Sequence, residues 1–113
     1  MNMFGNNVNK VQRAIERGNE KALLQLAESK NKDVRLAAIK GLGSVPADDS
    51  NNYLITILRA EDADLRTAAA EALGNQGISR AHEFLSHQLK NEKDLRVAET
   101  LTNAMHKLSP LKE

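Results

Sequence analysis

DVRLAAIKGLG (33–43) and DLRTAAAEALG (64–74) are one phrase written twice, and DLRVAETLTNA (94–104) begins it a third time before departing from it. The three Asp-apolar-Arg triplets start at residues 33, 64 and 94, spacings of 31 and 30. Self-similarity at such a period marks stacked supersecondary units, none of which can bury its apolar face alone. Inside the phrase the apolar residues keep a helical period. At about 100° per residue, Val34, Ala37, Ala38, Gly41, Leu42 and Val45 share one side of a helix, as do Leu65, Ala68, Ala69, Ala72 and Leu73. The Ala and Gly in these stripes predict close approach of neighbouring helices, with Leu and Val filling the remaining space.

The segments ahead of the triplets repeat as well. Leu23, Leu54 and Leu85 superpose at a shift of 31, as do Ala27, Leu58 and Leu89. Each repeat therefore reads as a helical hairpin, with outer helices near 19–29, 48–60 and 79–90 and inner helices near 32–44, 62–75 and 92–108. Gly18, Gly43 and Gly77 fall at or just past helix ends, Pro46 stops the chain, and Asn19, Asp48, Asp62 and Ser79 are candidate N-caps. A leading helix over 6–17 carries Phe4, Val8, Val11 and Ile15 at spacings of 4, 3 and 4 and is expected to cover the open end of the first repeat. Residues 1–113 are thus expected to form one all-α unit, with repeats at about 19–45, 48–77 and 79–108.

On these residues the chain resembles the HEAT-repeat family, in the short form named for phycobilisome lyases. The resemblance spans about residues 19–108. It implies a right-handed α-solenoid of about three hairpins plus the N-terminal helix, acting as a protein-binding scaffold. It also implies that Asp33, Arg35, Asp64, Arg66, Asp94 and Arg96 hydrogen-bond between adjacent repeats as a ladder, and that the inner helices line a concave face. That face would run from Leu36, Ile39 and Lys40 through Thr67, Ala70 and Glu71 to Val97, Thr100 and Leu101.

The third copy departs in a pattern. Aligned on its triplet, Glu99 stands where Ala38 and Ala69 stood, Asn103 where Leu42 and Leu73 stood, and His106 replaces Val45. A last repeat needs a polar outer face, so the array is expected to close here as a complete small solenoid. The same alignment places Val97, Leu101, Ala104 and Leu108 opposite the core stripe. Two readings of them stay open. In one, the last helix rolls about its axis or the tail SPLKE folds back with Leu111, and the residues are core. In the other, they form an exposed docking surface for an apolar helix, an extended peptide or a second copy of the chain.

Composition narrows the chemistry. Sixteen Lys and Arg against fifteen Asp and Glu leave a net charge of +1, which names no partner by electrostatics. Aromatic residues are 3% of the chain, and there is no Cys, which removes disulfides and thiolate chemistry and fits a cytoplasmic, reducing setting. The N-terminus has no apolar run of signal-peptide or membrane-span type. His82 and His87 are five residues apart and diverge by about 140° on a helix, which is not a metal-ligand pair. One His-Glu dipeptide, His82-Glu83, is too little for the di-iron centre of the deoxyhypusine hydroxylases that share the HEAT fold, and no bilin pocket is recognisable. No catalytic residue, cofactor or metal site is expected. Lys10, Arg13 and Arg17, with Lys21 beyond, form a short basic ridge interrupted by Glu16 and Glu20. An accessory contact with nucleic acid through this ridge is the alternative to a protein scaffold; a lyase or other enzyme subunit is a third.

Overall fold

The computed structural model describes residues 3–108, with side chains from residue 9 onward. Phe4 and Val8 of the leading helix, and the tail with Leu111, lie outside those described side chains. Every regular element within them is helical: α1 Met3–Glu16, α2 Glu20–Leu26, α3 Lys32–Leu42, α4 Asp48–Ile57, α5 Ala63–Gln76, α6 Ala81–Asn91 and α7 Leu95–Leu108. The helices form two layers. α1, α3, α5 and α7 pack side by side as one, while α2, α4 and α6 back them as the other, giving a flat body of 51 × 29 × 18 Å.

Local chemistry sets most helix ends. The Asn19 side chain accepts the Ala22 N–H to start α2, Asn31 accepts from Val34 to start α3, and Asp62 accepts from Asp64 to start α5. Gly18 and Gly77 turn the chain with positive φ, at 61° and 73°, where a side chain would be strained. Two expected caps are displaced. Asp48 is the first residue of α4 rather than its cap, and Ser79 does not cap α6. The start of α4 is instead served from another repeat, by the Glu20 carboxylate accepting the Ser50 N–H at 2.7 Å.

The core is aliphatic and runs the length of the array, with Leu23, Val34, Leu42, Leu54, Leu73 and Leu85 fully buried. Glycine and alanine let the inner layer close up. A Cβ added at Gly43 would sit 3.1 Å from the Ala72 Cα, and one at Gly74 3.0 Å from the Ala104 Cα. The outer layer is looser, and a groove of about 300 Å³ opens between α4 and α6. The inner layer is therefore the more tightly packed of the two, and the outer layer the more splayed.

The third copy of the phrase is not in register with the first two. Helix starts give the structural alignment: Asn31, Asp62 and Asp94 are the residues that cap α3, α5 and α7, at spacings of 31 and 32. The first intrahelical bonds agree, with the N–H of Arg35, Arg66 and Ala98 donating to the carbonyls of Asn31, Asp62 and Asp94. Asp94 thus matches Asp62, not Asp64, and the triplet has slid by two residues. A two-residue slide rotates the motif by about 200° about the helix axis. That rotation accounts for the stripe: Val97 occupies the position of Leu65 and Val34, and Leu101 that of Ala69 and Ala38. Val97 and Leu101 are 0% exposed, Ala104 3% and Leu108 5%. They pack α7 onto α5 and α6, and the exposed-docking reading of these four residues is corrected accordingly.

Candidate functional site

In an inner helix with a neighbour on both flanks and an outer helix behind it, burial extends round more than half the circumference. This corrects two further residues expected on the concave face. Ile39 is 1% exposed and Ala70 0%, because each is caught between successive inner helices. What remains open on this face of the inner layer is a narrow polar strip. Leu36 and Thr67 are half-buried at its edge, with Lys40 and Glu71 exposed beside them. In α7 the strip continues through Arg96, Thr100, Asn103 and Lys107.

Between α5 and α7 the strip deepens into a groove of about 660 Å³, walled by Thr67, Glu71, Thr100 and Asn103 and floored by Ala104. Side-chain bridges tie its two helices together at both ends. Arg96 donates to Asp64 at 2.8 Å near the helix starts, and Lys107 donates to Asn75 at 2.8 Å near the helix ends. The hydroxyls of Thr67 and Thr100 bond back to the carbonyls of Ala63 and Arg96 within their own helices. Glu71, midway between the bridges, has no ion-pair partner among the described residues. The groove therefore offers one available carboxylate between two occupied cations.

The ladder expected of the repeated Asp and Arg residues takes a different course. Lys32 bridges to both Asp62 and Asp64 at 2.9 Å, and Asp64 is shared with Arg96, so one charged chain crosses the starts of α3, α5 and α7. Its members hold each other charged: Lys32 beside the two carboxylates is pushed up, and Asp62 and Asp64 are pulled down, chiefly by Lys32. Arg35 instead donates to the carbonyls of Ser29 and Lys30, and Arg66 to those of Ala60 and Glu61, stapling the turn of their own hairpins. Arg66 also makes a two-point pair with Glu92 of the next hairpin at 2.9 and 2.8 Å. The Glu92 side chain is 1% exposed, and the Arg66 guanidinium holds its carboxyl below the usual range.

A buried polar clasp at the opposite end of the inner helices has no signal in the repeat pattern. Gln76, at the end of α5, donates to the Leu42 carbonyl at 3.0 Å and to Ser50 Oγ at 2.8 Å, and accepts from Asn51 at 3.0 Å. Arg80 then donates to Asn51 Oδ1 at 2.8 Å. Gln76 thereby satisfies a terminal carbonyl of α3 from the neighbouring repeat. No buried side-chain polar atom among the described residues lacks a partner.

Of the basic ridge, Lys10, Arg13 and Arg17 line one groove between α1 and α2, and Lys21 lies outside its lining. Glu20 does not interrupt this ridge as expected, since its carboxylate is turned to the start of α4. His82 and His87 both lie on α6 and His106 on α7, and no group of three metal-capable side chains converges among the described residues.

A family model described as HEAT repeats matches residues 20–106. No curated protein matches the chain. HEAT repeats in general are non-enzymatic protein-interaction scaffolds.

Proposed function

The chain belongs to the HEAT-repeat family, and from that premise we propose that it is a small non-catalytic adaptor whose concave strip docks an extended segment of a protein partner. The observation that carries this reading is the groove between α5 and α7. It is concave, polar and braced at both ends, and Glu71 stands available in its middle. Such a groove suits a peptide whose backbone meets Thr and Asn side chains and whose one basic side chain pairs with Glu71. A cytoplasmic setting belongs to the same proposal and rests on the absence of Cys.

The test is affinity capture with the intact chain, run beside a Glu71→Lys variant whose fold is verified by circular dichroism. A partner held by the natural chain and lost from the variant supports the concave site. A partner held equally by both places docking elsewhere and overturns it. Sedimentation over a concentration range identifies the case in which the partner is a second copy of the chain. Neither a nucleic-acid accessory role nor an enzyme subunit draws comparable support: the net charge is +1, and no group of three metal-capable side chains converges among the described residues.

A further inference from the structure

The cations of α1 stand apart from the charge economy of the rest of the molecule. Lys10 and Arg13 of α1 and Arg17, in the turn just past its end, follow one another at spacings of 3 and 4, and all three line the groove between α1 and α2. None forms an ion pair among the described residues. The groove they line, of about 340 Å³, contains no acidic side chain among the described residues. Both nearby carboxylates are engaged elsewhere, Glu16 with Gln12 and Glu20 with Ser50. Ala14, Ala22 and Leu26 give it an apolar floor, beside the amide side chains of Asn19 and Gln25.

We propose that this groove is a second docking site, separate from the concave strip, and that it takes an acidic peptide segment with an aliphatic side chain among its carboxylates. The cations select the charge, with the two arginines offering forked donors that match carboxylate geometry. The apolar floor selects the peptide over a nucleic acid. A phosphodiester backbone carries nothing to cover Leu26, and no aromatic side chain among the described residues lines the groove to stack a base. With only +1 on the whole chain, the long-range attraction that polyanion binding relies on is weak. A leucine-bearing acidic segment instead combines short-range charge pairing with burial of its own apolar carbons.

Fluorescence anisotropy with a labelled peptide of repeated Glu-Glu-Leu tests the proposal, against oligothymidylate of equal charge. The intact chain is expected to bind the peptide more tightly than the oligonucleotide, with an affinity that falls as salt is added. Arg13→Glu with Arg17→Glu should weaken peptide binding by at least about tenfold, since two charge-assisted contacts become repulsions. Lys90→Glu, an exposed charge reversal on α6, should leave it within about twofold if the groove rather than net charge is responsible. Four results would overturn the proposal: no peptide binding, binding indifferent to the arginine reversals, equal weakening by Lys90→Glu, or tighter binding of the oligonucleotide. Circular dichroism of each variant confirms that a lost signal is not a lost fold.

Discussion

Glu92 shows how one residue carries a link between repeats. Its carboxylate is almost wholly out of solvent and meets Arg66 at two points, with Gln88 donating a further bond. Removing the arginine strands a buried charge, so Arg66→Ala is expected to cost about 3 kcal/mol in a urea melt. The pair also dictates a direction with pH. Arg66 lowers the folded-state pKa of Glu92 below its ordinary value of 4.5. The resulting stability is present above that ordinary value and fades as pH falls through the lowered one. Glu92→Gln should therefore be less stable at neutral pH yet lose less on acidification. Asp62 and Asp64, also lowered, keep part of the acid slope in the variant. Urea melts across the acid range measure both effects, and an unchanged slope would mean that the pair contributes nothing.

Helix α7 is where reading by motif and reading by structure part. Its triplet looks aligned with those of α3 and α5, but Asp94 is a cap, whereas Asp33 and Asp64 lie inside the first turn. The slide makes a contrast in stability. Asp94→Ala removes two capping bonds and should cost about 1 kcal/mol. Asp33→Ala should cost no more than about 0.5 kcal/mol, because an exposed first-turn carboxylate has only the helix dipole to favour it. Equal losses would argue for the motif alignment. Leu101→Glu separates the two registers more sharply: a carboxylate in place of a fully buried leucine should cost about 3 kcal/mol or more and lower the melting temperature by many degrees. Glu99, Asn103 and His106 are exposed on α7, but in the structural register Glu99 and Asn103 match Thr67 and Glu71, so those two are exposed as members of the inner-helix strip.

For the whole molecule, stability depends on interfaces between repeats more than on any repeat alone. Gly74 is one such joint. Alanine is the better helix former by about 1 kcal/mol, but its Cβ would press on the Ala104 backbone, which cannot move without shifting α7. Gly74→Ala is therefore expected to be net destabilising by about 1 kcal/mol. A stabilised variant in thermal melts would show that the layer can spread. Gln76 is the opposite joint. Gln76→Leu strands the Leu42 carbonyl and polar groups on Ser50 and Asn51, and should cost about 2 kcal/mol in a denaturant titration despite adding an apolar side chain.

The sequence by itself determined what is local. Periodicity placed the helices to within a few residues, the Asn and Asp caps and turn glycines marked several of their ends, and the stripes through Val34 and Leu73 named core residues that are buried. The concave strip was half legible: Leu36, Lys40, Thr67, Glu71 and Thr100 retain exposure there, whereas Ile39 and Ala70 do not. Only the tertiary structure decided the rest, because it depends on groups some thirty residues apart meeting across an interface. A helical wheel has one inward side, but an inner helix flanked by two others is buried round most of its circumference. A two-residue slide leaves a motif readable while turning its faces by about 200°. The Gln76 clasp and the Glu20 cap on α4 belong to no repeat position, and the Arg66–Glu92 pair joins a repeated arginine to a glutamate outside the repeated phrase; all three arise only where particular side chains from different hairpins come within hydrogen-bonding distance.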